Sequence, residues 1–142
     1  MRIKQISVFL ENKAGRLALV TGILSDNGIS IRALSIADTT NFGILRLIVD
    51  APEKAEKVLG GAGLAVKATD VIAISLPDET GALGGAMKLL DNAGIGVSYM
   101  YAYLGKEKEN AFIAKVSDFD GAIRALADGG IRVMDSDEVY RA

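Results

Sequence analysis

Glu11-Asn12-Lys13-Ala14-Gly15-Arg16-Leu17 returns sixty-six residues later as Pro77-Asp78-Glu79-Thr80-Gly81-Ala82-Leu83, with the glycine and the leucine in the same places. At that offset Leu24-Ser25-Asp26-Asn27-Gly28-Ile29-Ser30-Ile31 falls on Leu90-Asp91-Asn92-Ala93-Gly94-Ile95-Gly96-Val97. One residue is then gained. Ala55, Leu59 and Gly63-Leu64-Ala65-Val66 match Ala122, Leu126 and Gly130-Ile131-Arg132-Val133. Self-similarity at one period over nearly the whole chain marks a repeated structural unit. The reading is two modules, residues 1–69 and 70–142, with almost no linker around Thr69-Asp70.

Within each repeat the hydrophobic period switches in a fixed order. Ile6, Val8 and Leu10 alternate as a strand; Leu17, Val20 and Leu24 then recur at helical spacing, and Gly28 stands where a helix stops. Ile29 to Ala37 and Gly43 to Val49 read as two strands around a Thr39-Thr40-Asn41 turn. Pro52 opens a second helix through Leu59, and Leu64 to Ala68 ends the repeat extended. The second repeat gives Val71 to Leu76, Ala82 to Asp91, Ile95 to Leu104, Ala111 to Val116, Asp120 to Leu126 and an extended segment through Tyr140. The order β-α-β-β-α-β is the ferredoxin-like arrangement, so the expected class is α+β, with an antiparallel sheet and both helices on one face of each module. A module of this size has a small core, which predicts that the two share a surface.

Composition bounds the chemistry. Of 142 residues half are hydrophobic and 24% charged, enough apolar surface for a packed core. The net charge of −2, with lysines and arginines scattered, offers no phosphate-neutralising patch, so nucleic acid is not an expected partner. The longest uncharged stretch, Asn92 to Gly105, is rich in glycine and too short for a membrane span. The apolar run before Glu11 is too short for a signal peptide. A cytoplasmic protein is expected. The absence of cysteine and histidine removes thiolate chemistry and the usual general base near neutral pH. No catalytic residue, metal site or cofactor is expected.

Three groups of residues remain as candidates. Gly15 and Gly81 sit at the turn from first strand to first helix, where glycine either permits a tight bend or leaves room for an anion on the helix N-terminus. Asn12 and Ser30 either converge on a ligand's charged groups or make local turns; Asp78 and Gly96 are their counterparts in the second repeat. Tyr99, Tyr101 and Tyr103 share one strand face, as core, as subunit interface or as a wall beside a ligand. Asp118 or Asp120 reads as a helix cap, and Asp135, Asp137 and Glu138 as a solvated acidic turn without a basic clamp.

The loop Glu11 to Leu17, the segment Asn27-Gly28-Ile29-Ser30-Ile31, their second copies and the stretch Gly96-Val97-Ser98-Tyr99-Met100-Tyr101-Ala102 together resemble tandem ACT domains, the small-molecule sensing modules of amino-acid metabolism. The resemblance implies a free amino acid held between modules, touching the strand-to-helix loop of one and the second-strand edge of its neighbour. It nominates Asn12, Lys13, Ala14, Gly15, Arg16, Leu17 and Ser30, and in the second repeat Asp78, Glu79, Thr80, Gly81, Ala82 and Leu83. Many members of the family carry proline where Ala14 and Thr80 stand. A homodimer is expected, because strand edges and apolar sheet faces need cover. The alternative is a regulatory subunit resembling the small subunit of acetolactate synthase, whose partner is an enzyme.

Overall fold

The computed structural model describes residues 2–11, 14–38, 42–103 and 110–141; the side chains of Asp38 and Tyr103, and the Thr39-Thr40-Asn41 turn, lie outside the description. The chain divides into two compact units, one of Lys4–Thr69 and one of Asp70–Tyr140 with Met1–Ile3.

In the first unit β1 (Ile3–Glu11), α1 (Arg16–Asp26), β2 (Ile31–Asp38), β3 (Phe42–Val49), α2 (Pro52–Gly61) and the start of β4 (Ala65–Leu76) follow in order. The sheet runs β2-β3-β1-β4, with β3 antiparallel to both β1 and β2. Ile6, Val8 and Leu10 pair across to Leu47, Leu45 and Gly43, so one face of the pleat is apolar. That face meets Val20 and Leu24 of α1 and Ala55 and Leu59 of α2 in one buried cluster. The helices need only a narrow stripe of core residues because they lie side by side on a single sheet face.

The second unit repeats the plan with the rest of β4, α3 (Ala82–Asn92), β5 (Val97–Tyr103), β6 (Asn110–Val116), α4 (Phe119–Asp128) and β7 (Arg132–Val133), its strands ordered β5-β6-β4-β7. Its core substitutes Ile72, Ile74, Leu76, Ala86, Leu90, Ala122 and Leu126 at the repeat-equivalent places. Each unit is thus a ferredoxin-like α+β module.

Two sequence expectations are corrected. The segments Leu64–Ala68 and Val71–Leu76, read as separate strands, form one twelve-residue strand, β4, with Thr69 and Asp70 inside it. The end of the chain is not extended through Tyr140: β7 is two residues long and α5 (Ser136–Arg141) follows. The backbone N–H of Asp135 donates to the Glu138 carboxylate (3.2 Å), and Val139 N–H donates to the Asp135 carbonyl (3.2 Å). An acid three residues past the cap reaching back to the cap's own N–H is half of a capping box, and it starts a helix where strand periodicity alone reads on. Glu138 also takes two hydrogen bonds from Arg132 Nη1, at 2.9 and 2.7 Å, so a basic clamp does hold this acidic turn. The Arg132 hydrogen bond and the Asp135 N–H together hold the Glu138 carboxyl below its ordinary range.

Candidate functional site

Loop chemistry begins with torsion. Gly15 and Gly81 are the N-cap residues of α1 and α3, both at φ 88°, with ψ −9° and −5°. A side chain at either would meet no atom within 4 Å, so the left-handed backbone, and not a shortage of room, requires glycine there. Neither helix has a side-chain cap or an acidic residue in its first turn. The other long helices differ: α4 is capped by Asp118, which accepts from Gly121 N–H at 3.0 Å, and α2 opens with Pro52 and Glu53. The first turns of α1 and α3 therefore present partial positive charge with no carboxylate of their own to neutralise it.

Beside the first loop lies an open cavity of about 400 Å³ lined by Leu10, Glu11, Ala14, Arg16, Leu17, Ile36 and Gly43. A second hollow of about 270 Å³ shares Leu10, Glu11 and Arg16 and extends along Phe9, Phe42 and the start of β4. Pockets for small ligands commonly measure about 300–1,000 Å³. Arg16 and Glu11 stand across the mouth as a loose ion pair, 3.8 Å apart and partly solvated.

Of the residues nominated from sequence, Ala14, Arg16 and Leu17 line the cavity and Gly15 shapes its rim. Asn12 and Lys13 lie outside the described residues. Ser30 is not brought to the loop of its own module. Its N–H donates to Asp50 Oδ1 (2.9 Å), and Ile31 pairs with Val49, while Glu11 pairs with Phe42 at the other end of the sheet. Seven strand steps of about 3.3 Å separate those ends by roughly 23 Å.

Sequence reasoning missed Glu11, Leu10, Ile36 and Gly43 as site residues. A signal existed for Glu11 in its opposite charge to Arg16 across the loop. Ile36 and Gly43 become neighbours of the loop only through strand pairing.

The second loop is built differently. Pro77 and Ala82 replace Glu11 and Arg16, so the first loop's acid and base have no counterpart at these two positions. Asn110, opposite Leu76 where Gly43 stands opposite Leu10, donates its Nδ2 to Asp78 Oδ1 at 3.2 Å. Glu79 and Thr80 complete the turn, Glu79 accepting from Ala82 N–H at 3.2 Å, and Leu83 packs against the module core.

Tyr99 and Tyr101 pair with Lys115 and Ile113, on the sheet face away from α3 and α4, while Met100 packs on the helix-side core. Their rings stack at 6.5 Å and 19°. Among the described residues no cluster of acids could hold a metal ion, and no helix is long and apolar enough to cross a membrane.

The fold is a tandem pair of ferredoxin-like modules, and the comparisons give its family. Residues 1–127 match the model of the ACT domain pair, and the chain belongs to that family. Protein BT0572 from Bacteroides thetaiotaomicron is 37% identical and superposes with a TM-score of 0.94, over 100% of this chain and 98% of that one. The regulatory subunit of aspartate kinase from Thermus thermophilus, in its ligand-free form, shares the fold at TM-score 0.63 and 15% identity, over 88% of this chain and 91% of that one. Aspartokinase III of E. coli, in complex with lysine and aspartate in the T-state, gives 0.51 and 16%, over 90% of this chain and 31% of that one. No curated protein matches.

Proposed function

We propose that this chain is a non-catalytic, cytoplasmic sensor that binds a free amino acid beside the β1–α1 loop. Its modules are residues 1–69 and 70–142, a division supported by the two compact units that meet at Thr69 and Asp70. The observation that carries the reading is the cavity of about 400 Å³ with Glu11 and Arg16 at its mouth, next to an uncapped helix start. Glu11 receives the ligand's ammonium group, and Arg16 its carboxylate, aided by the first N–H groups of α1. Asn12, Lys13, Ala14, Gly15 and Leu17 complete this site. Asp78, Glu79, Thr80, Gly81 and Leu83 form a weaker second one. Ser30, at the other end of its sheet, lies outside this site. The test is a thermal-shift screen against the twenty amino acids, since a ligand selective for the folded state raises its stability. No shift with any of them at millimolar concentration counts against the reading.

The proposed assembly is a homodimer, although for a different reason from uncovered sheet faces. Ala33, Ile48, Ala73 and Ile113, on the faces away from the helices, are already buried in the single chain. The large apolar side chains left exposed include Leu34 on β2, the outer strand of its sheet. Sedimentation at micromolar concentration is expected to give twice the chain mass, and Leu34→Lys to give a monomer.

The second reading, a regulatory subunit for a separate enzyme, is favoured by Phe9, Leu19 and Phe42, which are also exposed and lie outside β2. Stoichiometric co-purification with a biosynthetic enzyme would support it.

A further inference from the structure

We infer that the ligand of the first-module cavity is an α-amino acid with an uncharged aliphatic side chain, of the leucine, isoleucine, valine or methionine class. The inference rests on the amino-acid reading above and narrows it. Electrostatics comes first: the mouth holds one acid and one base 3.8 Å apart, so it is neutral as a pair and matches a zwitterion end to end. Among the described residues lining the cavity, Glu11 and Arg16 are the charged ones, and both are committed to the two charges every amino acid carries. A third charge on a lysine, aspartate or glutamate side chain would leave water for a wall of Leu10, Leu17 and Ile36.

Packing points the same way. Leu17 is 41% and Ile36 53% exposed, an apolar surface that an aliphatic side chain entering the cavity would remove from water. Ala14 and Gly43 keep the remaining wall small, and a cavity of about 400 Å³ has room for an aliphatic side chain. A serine or glycine ligand would satisfy the charges and leave this wall wet. Discrimination therefore comes from the side chain, while the ion pair fixes orientation.

Calorimetry on the full-length chain with leucine, serine, lysine and aspartate as probes tests this. Leucine is expected to bind about tenfold or more tightly than the other three, the scale on which an apolar pocket separates aliphatic groups. Leu17→Ser, and independently Ile36→Ser, should shrink the leucine-to-serine affinity ratio by about tenfold; both positions are exposed enough for the variants to fold. If lysine or aspartate binds as tightly as leucine and Arg16→Ala abolishes that binding, the aliphatic assignment is overturned while the amino-acid reading stands. A leucine preference unmoved by both serine variants overturns the assignment of this cavity. Absence of binding by all four probes, with no thermal shift from any other amino acid, overturns both.

Discussion

The two strand-to-helix loops share a left-handed glycine at the helix start and differ in most of the side chains around it. Gly15 and Gly81 hold the same left-handed conformation to within a few degrees of ψ, and the helices behind them bury equivalent leucines, Leu24 and Leu90. Yet the first loop has Glu11 and Arg16 where the second has Pro77 and Ala82, and Gly43, with no side chain, where the second has Asn110 holding Asp78. Folding needs the shared features; the proposed binding depends on the others. The repeat is therefore kept as a scaffold and has diverged in the side chains around its loops, so on the proposed function the first loop is expected to fill before the weaker second one.

The largest effect should be the same in both modules. Leu24 and Leu90 are each 1% exposed, and truncating either to alanine is expected to cost about 2–5 kcal/mol in chemical denaturation. A cost below about 1 kcal/mol at one of them would show that the two cores are not equivalent. The next effect is also symmetric: Gly15→Ala and Gly81→Ala each force a side chain into the left-handed region and should lose about 1–2 kcal/mol of stability. Binding should break the symmetry. Asn12→Ala is expected to weaken amino-acid binding by about 0.5–1.5 kcal/mol in calorimetry, the net worth of one hydrogen bond, and Asp78→Ala to leave it unchanged. The reverse outcome would move the site to the second loop.

The smallest effect concerns α5, a feature of the second unit alone. Because Arg132 and the Asp135 N–H hold the Glu138 carboxyl below its ordinary range, its contribution to stability is fully present above that range and fades as pH falls through the lowered value. Glu138 is largely exposed, so the loss should be local, seen as faster amide exchange across Ser136–Arg141 in acid. Glu138→Gln should show the same fraying at neutral pH.

Sequence by itself determined the modular plan. The offset between Gly15 and Gly81, the alternation of Ile6, Val8 and Leu10, and the helical spacing of Val20 and Leu24 are local patterns whose burial follows from periods of two and 3.6. It also marked the loops, because a left-handed residue at a helix start restricts the choice to glycine. Only the tertiary structure decided what surrounds the first loop. Ile36 and Gly43 reach it through the register of β2 on β3 and β3 on β1, and the same register carries Ser30 to the opposite end of the sheet. The extended end expected through Tyr140 became α5 for a related reason: a capping hydrogen bond and the clamp from Arg132 outweigh a strand pattern only once the chain brings them within reach. Periodicity is written along the chain, but the partner of an edge residue is set by pairing between segments far apart in sequence, and that pairing built the cavity.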